Sequence, residues 1–172
     1  MKILSIDQST THVGYCIWDN KNYIESGVFE ISRPTSKKKT TKSKTKNKNI
    51  DEEYQYVYKG FDFIVSLINK YQPDLIVMEE VFMGKNASVL KKLATLKGMV
   101  LGYCKALEIN TSVVYPTTWK SFIKVHSERD KEKQDVLNYF KTLYKKEITK
   151  DDESDAIGIG YYYVNKYLWW KS

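Results

Sequence analysis

The stretch "PDLIVMEEVF", positions 73 to 82, constrains the fold most. Leu75 to Met78 are apolar at every position, and two acids end the run. A strand that is apolar on both of its faces belongs at the centre of a sheet covered on both sides, a parallel or mixed arrangement served by helices. The flanking sequence supplies those helices. "DEEYQYVYKGFDFIVSLINKYQ", from Asp51, carries an apolar stripe through Tyr54, Tyr58, Phe61, Ile64, Leu67 and Ile68, with Asp51 as its expected N-cap. A second helix is predicted from Asn86 to Leu107, with Val89, Leu90, Leu93, Leu96, Val100 and Leu101 on its apolar side.

Strands account for the rest of the sheet. Met1 to Ile6, Val13 to Trp18 and Tyr23 to Ile31 read as three hairpin-linked strands, the last two joined by "DNKN", and "TSVVYP" reads as a fifth strand closed by Pro116. Two more helices are expected, over Lys131 to Lys145 and from Asp151 to about Lys166. Hairpins followed by alternating helix and strand define an α/β fold, a mixed five-stranded sheet flanked by helices. The 172 residues suit a single domain.

Charge is concentrated in one place. The net charge of +7 equals the seven lysines of "SKKKTTKSKTKNKN", Lys37, Lys38, Lys39, Lys42, Lys44, Lys46 and Lys48, a segment without a single acid. We read positions 33 to 50 as a mobile loop. A solubilising linker would have this composition, but so many uncompensated lysines favour an arm that neutralises phosphates without regard to base sequence. No apolar stretch approaches membrane-spanning length. The N-terminus, broken by Lys2 and Asp7, does not read as a signal peptide. Cys16 and Cys104 sit in apolar patterns with no CxxC spacing, as buried free thiols of a reducing, cytoplasmic compartment.

The acids carry the chemistry. Asp7 ends the first strand, Glu79 and Glu80 end the fourth, and Asp152 and Asp155 share one face of a helix's first turn. Acids at a helix start complement its dipole, which suffices for Asp151. Asp155 is different, because Ala156, Ile157 and Ile159 follow it on a helix that must pack against the sheet. If the two strands are neighbours, these carboxylates converge, and their repulsion calls for protons or hard divalent cations. His12 and His126, far apart in sequence, read as surface or packing residues.

Three stretches, "ILSIDQSTTHVGY", "PDLIVMEEVFMGKNASVLKKLATLKG" and "DDESDAIGI", resemble in order and spacing the RuvC family of Holliday junction resolvases, over Lys2 to Tyr161. The resemblance implies a ribonuclease H-like fold, a homodimer, and four acids holding divalent metal. By motif those acids are Asp7, Glu79, Asp152 and Asp155, with Glu79 preferred to Glu80 because it directly follows the strand. Two Mg²⁺ ions, with Mn²⁺ as a substitute, would support phosphodiester hydrolysis. Phe82 matches an aromatic that stacks on a base near the crossover. The family's catalytic lysine falls on Lys131 or Lys133, with Lys133 favoured because Val136 follows it by three. Lys120 matches a further family lysine, and Lys85 and Lys131 join it as candidate DNA contacts. The partner implied is branched DNA, a four-way junction, in a bacterial or phage-infected cell. The helix from 86 to 107, with Gly98 and Gly102, is the candidate dimer face. Two features depart from the family: Gln8-Ser9 replaces its usual Pro-Gly, and the lysine-rich segment is an insertion relative to typical bacterial members, so the resemblance is to a compact, phage-like member with a lysine-rich insertion.

Two rival readings start from the same residues. Asp7 and its turn look like the first phosphate loop of actin-like ATPases and sugar kinases. Those enzymes need a second domain and a second Gly-rich loop, and this chain has 8 Gly in 172 residues with no such cluster. A non-catalytic nucleic-acid-binding protein on the same fold would have little use for four acids facing phosphates.

Overall fold

The computed structural model describes residues 1–31, 50–82, 86–125 and 129–168. Strands β1 (Lys2–Gln8), β2 (His12–Asp19) and β3 (Asn22–Glu30) form an antiparallel meander, and helix α1 (Ile50–Tyr71) leads to β4 (Leu75–Glu79). Helix α2 (Ala87–Ala106), β5 (Asn110–Val114), and helices α3 (Pro116–Phe122), α4 (Arg129–Tyr144) and α5 (Asp151–Tyr167) complete the chain. The sheet order is β3-β2-β1-β4-β5, with β1, β4 and β5 parallel. The expected mixed five-stranded sheet is present.

β4 is covered on both faces, as its composition requires. Leu75 and Val77 pack with α3, α4 and α5, while Ile76 and Met78 pack with α1 and α2. The same alternation divides β1. Ile3 joins the first core, and Leu4 and Ile6 join the second. Both cysteines are buried and free. No helix among the described residues is long and apolar enough to cross a membrane.

Three expectations need correction. α1 begins at Ile50, so Asp51 lies inside the helix rather than capping it. Asn86 caps α2, its side chain accepting from the amides of Ser88 and Val89, and Val89, expected on the apolar stripe, is exposed. α3 was absent from the sequence expectation. Pro116 does not merely close β5; it occupies the first turn of a helix, where its missing N–H costs nothing.

Helix α5 lies against β1 and β2 because small residues let it approach. A Cβ on Gly158 would collide with the Trp119 ring, and one on Gly160 with the Trp18 indole and Ser5 Oγ. Ser5 completes the seam: its hydroxyl donates to the Ala156 carbonyl (2.7 Å) and accepts from Trp18 Nε1 (3.2 Å). The seam fixes where the first turn of α5 meets the sheet.

Candidate metal centre at the end of the sheet

Pleat parity selects the acids. Ser5 and Val77 are register partners on adjacent parallel strands. Asp7 and Glu79 stand two residues beyond them, on the face covered by α5. Glu80 falls on the opposite face. There it accepts from Lys97 Nζ (2.5 Å) and the Val81 amide (2.9 Å), and the Lys97 bond holds its carboxyl below the usual range. Parity therefore puts the two neighbouring glutamates on opposite faces of the sheet.

Asp152 and Asp155 come from the first and second turns of α5. Asp7 pairs across the ladder with Gly14, and a Cβ on Gly14 would collide with the Asp152 carbonyl. The absent side chain admits the start of α5 beside Asp7.

Electrostatics record the convergence. Burial raises the Asp7 carboxyl well above the usual range, and the charges of Asp155, Glu79 and Asp152 raise it further. Burial also raises Glu79, against a hydrogen bond from Trp119 Nε1 (2.9 Å) and the charge of Lys120. Asp155 is pushed up to about 7 by burial; Lys120 and Lys133 oppose the rise, and Glu79 and Asp151 add to it. Among the described residues, these side chains do not close into a ready ligand cage. Their chemistry nevertheless fits a hard divalent cation: oxygen donors only, partly buried and close enough to repel, whose charge a cation would relieve.

Two lysines border the acids. Lys133 Nζ donates to Asp151 Oδ2, a bond that raises the lysine and lowers the aspartate, and the charges of Asp155 and Asp152 raise Lys133 further. Lys131, two positions earlier on the same helix, diverges from Lys133 by ~160° and is exposed. Lys120 bonds to Glu132 (3.0 Å) and still influences Glu79 and Asp155. Phe82 is 55% exposed, its ring 5.7 Å from that of Tyr115. Lys85, His126 and Lys37, Lys38, Lys39, Lys42, Lys44, Lys46 and Lys48 lie outside the described residues.

Sequence reasoning missed three contributors. His12, expected at the surface or in packing, places Nδ1 3.5 Å from Asp152 Oδ2 and 3.1 Å from Thr11 Oγ1. Trp119 supplies the indole donor to Glu79. Asp151, explained as a helix-dipole acid, binds Lys133. Only Trp119 had a sequence signal, as a large aromatic in a short polar stretch next to a proline.

The turn after Asp7 is closed from within. Ser9 Oγ accepts from the amides of His12 (2.8 Å) and Thr11 (3.3 Å) and donates to the His12 carbonyl (3.0 Å). A phosphate loop leaves such amides for its ligand, so this turn does not favour the ATPase reading. Ser9 also accounts for a closed turn without the usual Pro-Gly.

The sequence model for "Crossover junction endodeoxyribonuclease RuvC" matches residues 3–162. The chain is 28% identical over 162 residues to the protein of that name from Hydrogenovibrio crunogenus, covering 91% of this chain and 83% of the relative. It is 27% identical over 169 residues to the one from Dictyoglomus thermophilum, covering 96% and 98%. Among solved structures, T. thermophilus RuvC in complex with Holliday junction substrate superposes with a TM-score of 0.69 at 14% identity, covering 96% of this chain and 97% of that one. The Fowlpox virus resolvase in complex with substrate Holliday junction DNA gives 0.59 at 15% identity, covering 98% and 99%. With the fold in agreement and the family match running over residues 3–162, this chain belongs to the RuvC family of crossover junction endodeoxyribonucleases.

Proposed function

We propose that this chain resolves four-way DNA junctions by metal-dependent phosphodiester hydrolysis, with Asp7, Glu79, Asp152 and Asp155 as the metal ligands. The observation that carries the reading is the gathering of carboxylates from three separate elements, β1, β4 and α5, at one end of the sheet, where the charges of Asp155, Glu79 and Asp152 all bear on Asp7. When bound, Mg²⁺ (or Mn²⁺), as a pair of ions, supplies Lewis acidity that activates water and offsets charge on the leaving oxygen.

The chain's own residues prepare the site. Trp119 orients Glu79 through its indole N–H. Lys133, 70% exposed beside the acids, can leave Asp151 for a phosphate oxygen and offset the charge that develops there. Lys120 contributes positive potential to the same end of the sheet. Phe82 offers a ring for stacking against an unpaired base, and the lysine segment and Lys85 would neutralise DNA phosphates. A non-catalytic DNA-binding protein would gain nothing from this acidic cluster.

The nuclease acts as a single-domain homodimer that meets its partner through α2. Leu96, Val100 and Cys104 bury one side of that helix, while added Cβ atoms at Gly98 and Gly102 would meet nothing within 4 Å. Two sites on one junction can then cut a pair of strands. Its place of action is the cytoplasm of a bacterial or phage-infected cell.

The test is cleavage of a synthetic four-way junction beside linear duplex of the same sequence, with Mg²⁺ and with EDTA. Paired nicks in the junction with Mg²⁺ alone are expected. Equal cutting of linear duplex, or no Mg²⁺-dependent cutting, would overturn the reading.

A further inference from the structure

Helix α5 opens with Asp151-Asp152-Glu153-Ser154-Asp155, and its N-cap, Lys150, makes no side-chain capping bond. Something else must hold the turn. Glu153 lies ~160° around the helix from Asp155, on the side away from the acid cluster, and is only 7% exposed. There its Oε1 accepts from Lys146 Nζ (2.7 Å) and from Ser26 Oγ (2.6 Å). Lys146 Nζ also donates to the Ser26 carbonyl (2.8 Å) and to Ser26 Oγ (2.9 Å). One ammonium thus has three acceptors for its three hydrogens, and Tyr23 OH adds a 2.9 Å bond to Ser26 Oγ. The cluster links three parts of the chain: β3, the connection between α4 and α5, and α5 itself.

We propose that Lys146 and Glu153, closed on Ser26, are positioning residues that set the rotation of the first turn of α5, so that Asp152 and Asp155 are presented to the metal. The inference rests on the metal-dependent reading above. Two of the four acids at the start of α5 are thereby assigned to lysines of the same chain, Asp151 to Lys133 and Glu153 to Lys146. Asp152 and Asp155 are the two left to the site. The clamp acts from behind, since neither Lys146 nor Glu153 faces the cluster.

Coulomb's law and the clamp make opposite forecasts for Lys146→Met. Removing a cation near a metal site should tighten binding of another cation if charge alone mattered. Loss of the clamp should loosen it, as loss of outer-shell partners does, by about tenfold. The experiment is a titration of the DNA-free protein with Mn²⁺, followed by calorimetry or by the Mn²⁺ electron-resonance signal. Wild type, Lys146→Met, Lys146→Arg, Glu153→Gln and Asp7→Asn are compared, with circular dichroism melts for each and junction binding in EDTA. Lys146→Met should weaken Mn²⁺ binding and shift the Mg²⁺ midpoint for cleavage by the same factor, with junction binding unchanged and Lys146→Arg restoring most of the loss. Glu153→Gln, which keeps the shape and serves where Lys146→Met melts too early, should weaken Mn²⁺ in the same direction. Wild-type or tighter Mn²⁺ affinity in a folded Lys146→Met or Glu153→Gln protein would overturn the clamp while leaving the metal site standing. Absence of Mn²⁺ binding by wild type, or full binding by Asp7→Asn, would overturn the site itself and the clamp with it.

Discussion

The backbone carbonyl of Asp152 lies where a side chain on Gly14 would begin, so one acid's position depends on another residue's missing Cβ. Gly14 is also the ladder partner of Asp7. Gly14→Ala must therefore displace the start of α5 or bend β2, both next to the acids. Cleavage should fall by more than about 100-fold, in line with the cost of a 1 Å misplacement at a reacting centre. The melting temperature should also drop. Near-wild-type cleavage by Gly14→Ala would show that the contact is slack.

The acids can be tested one at a time. Asp7→Asn, Glu79→Gln, Asp152→Asn and Asp155→Asn should each abolish cutting, measured on labelled junctions under single turnover, while gel-shift affinity is kept or improved because repulsion of phosphate is reduced. Glu80→Gln should be much milder, since Glu80 is bound to Lys97 on the other face of the sheet. The reverse pattern at positions 79 and 80 would move the site by one residue.

Acid elevation has a consequence for stability against pH. Asp155, near 7, and Asp7, well above its ordinary value, hold protons in the folded protein where the unfolded chain has lost them. The folded state binds more protons, so the stability they contribute is complete below pH ~4 and is lost as pH rises through ~7. Glu25, Glu80 and Asp151 are lowered by bonds from Tyr71, Lys97 and Lys133 and change below that window. In EDTA, the melting temperature should fall between pH 5 and pH 8, and Asp155→Asn should flatten the fall. Added Mg²⁺ should raise it more at pH 8 than at pH 6, since a cation and protons compete for the same oxygens. A melting temperature in EDTA that rises over this range would contradict the assignment.

Affinity and selectivity should separate. Deleting Lys37 to Lys48 should weaken binding to junction and duplex alike, with each lost phosphate contact removing about 0.9 from the log–log salt slope. The saturated cleavage rate should hold. Phe82→Ala should instead reduce the preference for junction over duplex, by a stack worth roughly 1–3 kcal/mol. Competition binding across a salt series reads both. Loss of preference on deleting the lysines alone would make that segment a junction reader.

What could be read from sequence was what repeats locally. The uninterrupted apolar run of β4 announced a strand covered on both faces, and acids directly after apolar strands announced carboxylates gathered at one end of the sheet. α3 was hidden because Pro116 signals both the end of a strand and the first turn of a helix, and the residues after it are mostly polar. His12 was hidden because its neighbour Asp152 is supplied by the packing of α5 onto β2, which no local pattern encodes. Glu153 looked like one more acid in an acidic turn. Its separate bonding follows from its angle around the helix and from Ser26 on a distant strand.

The order of the elements along the chain sets a schedule for the nuclease. Asp7 leaves the ribosome early and Glu79 midway, but Asp152 and Asp155 emerge only with α5, which packs across β1 and β2 through Ser5, Gly14 and Gly160. A partly synthesised chain holds half of the acids and none of the helix that completes them. On the proposed assignment of the four acids, cutting power is therefore withheld from the nascent protein until α5 has sealed its sheet.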